Sequence, residues 1–243
     1  MITQYRFEVD NREKIPSFKA YRIYSWMQEQ IVSDYADALH MPEETPASQY
    51  LYYDKALQKN IWVVNLLNSD SEEVFSPVLQ SLKEIPLHGE TLLVSLSETA
   101  EFKSPESFIQ EARKEKNRFK GLEFITPAAF KSDSKYVIFP SEKLIIQSLV
   151  NRWNVFIPEY PIDDREALKL LENGITISDY ALRTRRFQLK NVKIPGFTGK
   201  ILFNAKCSAP IAELWQMLLY FSAYSGTGIK TALGMGATAP VII

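Results

Sequence analysis

Twelve positions near the C-terminal end, Ser225-Gly226-Thr227-Gly228-Ile229-Lys230-Thr231-Ala232-Leu233-Gly234-Met235-Gly236, hold four of the chain's nine glycines. Such clustering marks backbone that needs positive φ or lies close against a neighbour. An apolar, helix-like run from Ile211 to Tyr224 precedes the stretch, and a strand-like run from Thr238 to Ile243 follows it. The order is therefore helix, glycine-rich loop, strand. That order excludes two familiar glycine motifs. A P-loop puts Gly directly before Lys-Ser/Thr, after a strand and ahead of a helix, whereas Ile229 precedes Lys230-Thr231 here. The dinucleotide fingerprint needs a third glycine where Thr231 stands, and again a preceding strand. What is left is a cationic loop rich in amide N–H groups, suited to a phosphate chain.

Charge distribution points the same way. Net charge is only −1, yet from Ala181 onward the single acidic residue is Glu213. Against it stand Arg183, Arg185, Arg186, Lys190, Lys193, Lys200, Lys206 and Lys230, so this span carries +7 and the rest must carry −8. A near-neutral chain with one basic segment has the localised electrostatic footprint of a nucleic-acid binder; the alternative is a solvated, charged sheet edge. With 46% hydrophobic residues the 243-residue chain can bury a proper core, as one large domain or two of ordinary size. Cys207 is the lone cysteine, so no disulfide framework exists. The N-terminus lacks the apolar core of a signal peptide, and no apolar run approaches the length of a membrane span. A cytoplasmic protein without a membrane partner is expected.

Periodicity gives the element order. Ile2 to Val9 reads as a strand, and Ile15 to Ile31 as a helix with Tyr21, Tyr24, Met27 and Ile31 at helical spacing. Ser33-Asp34 is a candidate N-cap for a short helix, Tyr35 to His40. Two strands follow, Gln49 to Tyr53 and Asn60 to Leu67, then an amphipathic helix, Ser71 to Leu82, and a strand, Glu90 to Leu96. This is β-α-β-β-α-β, the split βαβ unit of ferredoxin-like domains. Charge without apolar periodicity between Phe102 and Lys120 places a junction there, giving domains 1–118 and 119–243. The second half reads as a strand from Gly121 to Thr126, a hairpin through Phe130 and Tyr136 to Phe139, and helices Lys143 to Val155 and Arg165 to Asn173. Long strands, Ile175 to Gln188 and Val192 to Lys206, then precede the last helix. The expected class is α+β, two tandem ferredoxin-like (RRM-like) domains with a C-terminal glycine-rich loop.

Three segments in order carry a family resemblance. They are Thr126-Pro127-Ala128-Ala129-Phe130-Lys131 with Tyr136-Val137-Ile138-Phe139-Pro140; Ile194-Pro195-Gly196-Phe197-Thr198-Gly199-Lys200; and Gly226 to Gly236 after Phe221-Ser222-Ala223-Tyr224-Ser225. Together they resemble the CRISPR-associated RAMP endoribonucleases, specifically the precursor-crRNA processing family (Cas six), and most closely members from Csm-type interference systems. The resemblance runs through nearly the whole chain. It implies binding of CRISPR repeat RNA, cleavage within each repeat, a transient link to a Csm-type effector complex, and a monomer or homodimer. A non-catalytic RAMP subunit that only holds guide RNA is the alternative.

No Cys or His cluster has metal-ligand spacing, and no serine sits in a nucleophile elbow. RNA needs neither, because its own 2′-OH can attack the adjacent phosphate. Such a reaction requires a base, an acid and a cation, leaves a 5′-OH and a 2′,3′-cyclic phosphate, and takes no metal or cofactor. Histidine fills either proton role because its pKa lies near neutrality. Leu39-His40 resembles the family's catalytic histidine position; the residue-level alternative is a His that caps a helix C-terminus. Some members add a tyrosine and a lysine. Tyr24 lies about one residue from the tyrosine position and shares the apolar face of its helix. The lysine position falls near Gln49, and Lys55 is the nearest lysine. His88, beside Pro86, reads as structural or exposed. For RNA binding the candidates are Gly226, Gly228, Lys230, Thr231, Gly234 and Gly236 of the loop. Arg183, Arg185, Arg186 and Lys190 lie along the basic strand, and Lys131 and Lys135 flank the hairpin. Alternation puts Arg183 and Arg185 on one strand face and Arg186 on the other. Tyr136 and Phe139 stack on bases in this reading, or sit in the core.

Overall fold

The computed structural model of the chain describes residues 1–11, 13–30, 46–114, 119–132 and 134–242. In the first half, strands β1 (Ile2–Asp10), β2 (Ala47–Asp54), β3 (Lys59–Leu66), β4 (Glu84–Leu87) and β5 (Glu90–Phe102) form one antiparallel sheet in the order β2-β3-β1-β5-β4. Helices α1 (Ala20–Glu29) and α2 (Ser69–Ser81) cover one face. Strand alternation decides which face. Tyr5, Phe7 and Val9 point to the helices and pack with Ile23, Met27, Phe75 and Leu79, while Arg6 and Glu8 point away and reach Asp54 and Lys59. The Asn68 side chain accepts the Ser71 N–H at 2.9 Å, which fixes where α2 starts.

Two details differ from the sequence expectation. A short three-residue 3-10 turn, Ser17–Lys19, leads into α1, because Pro16 cannot donate into a helix interior. The expected single strand Glu90 to Leu96 is one arm of a hairpin. β4 precedes it and His88-Gly89 make the turn, with Gly89 at φ 86°. Pro86 is tolerated because β4 is the sheet edge. The expected short helix Tyr35 to His40 lies outside the described residues.

Helix α3 (Pro105–Lys114) connects to the second half, which holds β6 (Gly121–Ala128), the hairpin β7 (Phe130–Ser132) and β8 (Lys135–Val137), α4 (Glu142–Phe156), α5 (Arg165–Gly174), β9 (Ile175–Leu189), β10 (Val192–Ala205), α6 (Ala209–Ser225) and β11 (Thr238–Val241). The second sheet runs β11-β6-β10-β9, and β7-β8 stands apart from it. Set aside β4, α3, the small hairpin and α5, and each half is β-α-β-β-α-β with its last strand beside its first. The fold is therefore α+β with tandem ferredoxin-like domains. Ser141 caps α4 by accepting the Leu144 N–H. Phe108 of α3 is buried against Trp153 and Phe221, so α3 packs into the second core although it precedes residue 118.

The halves meet at the start of β2. Gln49 is 1% exposed. Its Nε2 donates to the Ala20 carbonyl of α1 at 2.8 Å and to the Ala232 carbonyl of the glycine-rich loop at 2.9 Å. Its Oε1 accepts the Trp62 indole N–H at 2.9 Å. On the other face of the strand, Asn65 donates to Ser48 Oγ at 2.8 Å, and Ser48 Oγ donates to the Tyr224 carbonyl at the end of α6.

Gln49→Met keeps the volume but strands the Ala232 carbonyl and the Trp62 N–H, each worth about 1–3 kcal/mol, while the Ala20 carbonyl keeps its partner within α1. We expect the melting temperature to fall by at least about 4 °C, at about 2–4 °C per kcal/mol for a chain of this size. A calorimetric shift under about 2 °C would show that the amide does not hold the halves together.

Candidate nucleic-acid interface

β9 is a fifteen-residue edge strand. Its partner β10 fixes the register, with Phe187 opposite Ile194, Arg185 opposite Gly196, Thr184 opposite Phe197 and Arg183 opposite Thr198. Phe197 is in the second core, so Leu182, Thr184 and Arg186 share the helix-covered face. Arg183 and Arg185 share the opposite face with Phe187, which packs against Ala129, Ile194 and Met235. All three arginines are exposed. Lys200 stands on the open face too and pairs with Glu123 at 3.4 Å, an exposed pair worth little in stability. Lys190 sits exposed at the β9–β10 turn with φ 51°.

The glycine-rich loop is built differently from the expectation of free amides. Gly226 N–H donates to Ser222, Thr227 to Gly236, Ile229 to Ala129, and Gly236 to Pro127. Gly228 N–H donates to Ser148 Oγ at 2.8 Å, and Ala237 N–H to Thr126 Oγ1 at 3.0 Å. The Lys230 carbonyl accepts from Leu233 and Met235. Gly226, Thr231, Gly234 and Gly236 are buried. The amides are committed within the chain because the loop threads between β6, α4 and the first domain. Gly234, at φ 100°, shows the consequence: a Cβ there would lie 2.5 Å from the Ala20 Cβ. Lys230 is the exposed cation of the loop, held left-handed at φ 58°, ψ 36°.

On the first domain, Tyr24 is buried on α1, and Lys55 is exposed in the β2–β3 turn. That turn lies roughly 20 Å along the strand from Gln49, at 3.4 Å per residue. His40 lies outside the described residues. The open sheet face carries Tyr50 and Tyr52, with Arg6 5.9 Å from the Tyr52 ring. Burial pushes both phenols up, so they stay protonated at neutral pH. Among the described residues no group of His, Cys, Asp and Glu is placed to hold a metal ion, and no helix is long and apolar enough to cross a membrane.

A family model described as CRISPR-associated endoribonuclease Cas6 matches residues 122–238. A Streptococcus thermophilus protein named CRISPR-associated endoribonuclease Cas6 is 34% identical over 221 residues, covering 89% of each chain. The chain belongs to the Cas6 family. A Mycobacterium tuberculosis Cas6 is 26% identical over 220 residues, covering 88% of this chain and 69% of the relative. In fold, the chain resembles a Cas6 product complex (TM-score 0.78, 21% identity, 99% of this chain and 100% of the other). A Thermus thermophilus Cas6 is also similar (TM-score 0.69, 21% identity, 99% and 97%).

Within this Cas6 fold the structure brings Arg183 and Arg185 together on one face and sets Arg186 on the other. Lys131 and Lys135 are carried out on the β7–β8 hairpin. Sequence reading missed the role of Gln49, although a signal existed. Gln49 shares strand parity with the core residue Leu51, and a polar side chain at an inward position must find partners.

If the open face binds RNA, Arg183→Ala with Arg185→Ala should lower the salt slope of binding by about 1.4, at about 0.7 per lost phosphate contact. Arg186→Ala, on the other face, should change it by less than half as much. Equal effects in a salt titration of repeat-RNA affinity would mean that RNA wraps the edge. Gly234→Val combines a disfavoured backbone, about 1–3 kcal/mol, with overpacking of similar size. Its melting temperature should drop by about 5–15 °C, whereas Lys230→Ala should leave it unchanged and weaken RNA binding only at low salt.

Proposed function

We propose that this chain is a metal-independent endoribonuclease that binds CRISPR repeat RNA in precursor transcripts and cuts within each repeat to make guide RNAs. One observation carries the reading: the 34% identity, over 89% of both chains, to a protein named as a CRISPR-associated endoribonuclease. The segregated charge of β9 supports RNA binding, since phosphate contacts from Lys and Arg supply most of the affinity for a polyanion.

In the proposed reaction a base takes the proton of a ribose 2′-OH. The 2′-oxygen bonds to the adjacent phosphorus, the bond to the 5′-oxygen breaks, and an acid protonates that oxygen. The products are a 2′,3′-cyclic phosphate and a 5′-OH. His40 is assigned a general acid or base role, with Tyr24 and Lys55 as its candidate companions. Residues 1–118 carry this centre, and residues 119–243 supply the basic strand, the hairpin lysines and Lys230. A transient association with a Csm-type effector complex, by a monomer or homodimer, completes the proposal.

Incubating a repeat-containing transcript with the protein in EDTA should give discrete cuts whose upstream fragments end in a cyclic phosphate. His40→Ala should slow single-turnover cleavage roughly 10²–10⁴-fold and leave affinity nearly intact. Loss of less than about tenfold would remove His40 from the mechanism, on the same scale. Retardation without any cut by the wild-type protein would favour a guide-RNA-holding subunit.

A further inference from the structure

The β7–β8 hairpin, the residues that follow it and the neighbouring part of β9 expose side chains that a core normally takes. Phe139 is 65% exposed, Tyr180 55%, Tyr136 44% and Ile138 37%. Phe139 and Tyr180 meet edge to face, with ring centroids 5.9 Å apart, although one follows β8 and the other lies on the edge strand β9. Lys131 stands directly across the hairpin from Tyr136, and Lys135 opens β8. Both lysines are exposed and make no ion pair with any described residue. Of the three cross-strand pairs, Phe130–Val137 turns inward and anchors the hairpin on the second core, and Ser132–Lys135 follows on that face at the tip. The hairpin thus has an apolar root and an aromatic, cationic outer surface.

We propose that Phe139 and Tyr180, with Tyr136 and Lys131 on the outer face of the adjoining hairpin and Lys135 at its tip, form a stacking platform for unpaired RNA nucleotides, apart from the arginine-bearing open face. The inference rests on the RNA-binding reading above and extends it to a second contact. Every base has a π-face, so flat aromatic rings hold single-stranded RNA without reading its sequence, while lysines neutralise the phosphates between bases. Duplex RNA is a poor match, because its bases are already stacked on one another. A folded protein partner is also a poor match. The four exposed side chains present on the order of 500 Å², below the ~800 Å² per partner of a stable interface.

The test uses the full chain and a labelled twelve-nucleotide oligoadenylate carrying one 2-aminopurine, whose fluorescence is quenched on stacking. Wild-type protein should bind it and quench the probe. Phe139→Ala and Tyr180→Ala should each lower affinity roughly fivefold to a hundredfold and relieve the quenching. Phe139→Trp and Tyr180→Phe should retain both. Both positions are exposed, so unchanged thermal melts should accompany these results. Affinity within twofold of wild type and unchanged quenching in both alanine variants would overturn the platform. So would absence of oligoadenylate binding by the wild type, or a dimer that these substitutions convert to monomer in sedimentation. Repeat-transcript cleavage measured on the same proteins keeps the outcomes apart: cutting that persists while oligoadenylate binding is absent sinks the platform alone.

Discussion

A single side-chain amide ties together the place where the two domains meet. The nitrogen of Gln49 has two N–H groups and the oxygen accepts, so one planar group can hold two carbonyls and an indole at once. The orientation of that amide is dictated by its partners, since carbonyls only accept and an indole only donates. The carbonyls belong to α1 and to the glycine-rich loop, which come from opposite ends of the chain. The next residue back, Ser48, points to the other face of β2 and donates to the last turn of α6, where helical carbonyls lack intrahelical partners. The first residues of β2 are therefore gripped on both faces by the second domain. Loss of either grip leaves desolvated groups with no water to replace it, so the arrangement is close to all-or-none.

This constraint explains the glycines better than a phosphate cradle does. Backbone donors in a buried segment must be satisfied somewhere, and here they go to Pro127, Ala129, Ser148, Thr126 and the loop itself. Close approach is the reason for glycine at Gly234, which rests on Ala20 at the start of α1. The loop's reach across the domains, with Ala232 accepting from Gln49 and Gly234 against Ala20, makes it a joint. Its one exposed cation, Lys230, is where that joint can touch a ligand.

Much of the fold was legible because strand and helix periods are local properties. The alternation in Tyr5, Phe7 and Val9, the Ser141 cap and the long strands around Lys190-Asn191 all leave marks within a few residues. The missed features were non-local. The edge strand Glu84–Leu87 is short and contains Pro86, so only its partner β5 makes it a strand. The charged stretch before residue 119 hides α3, which buries only Phe108 and Ala112 and packs Ile109 beside them. The availability of the loop amides depended on hydroxyls and carbonyls 80 to 111 residues away, which no spacing rule reports. The site was legible in part: the face assignment of Arg183, Arg185 and Arg186 follows from parity alone, and helical spacing already put Tyr24 on an apolar face, whereas the commitment of the loop amides needed coordinates.

The basic strand admits two physical explanations. A fifteen-residue edge with unpaired N–H and C=O groups invites pairing with another chain, and charged side chains blunt that hazard. Arginines along β9 would serve this purpose even in a protein that never met RNA. Edge protection, however, asks only for charge of either sign, and β9 from Ala181 to Leu189 has no acidic residue at all. It also gives no reason to expose Phe139 and Tyr180 beside the same edge, because aromatic rings at an edge promote pairing rather than prevent it. A half-strand with cationic and no acidic side chains, next to exposed rings, is costly for a surface whose only task is to stay alone, and is what a surface needs in order to hold a flexible polyanion with unstacked bases.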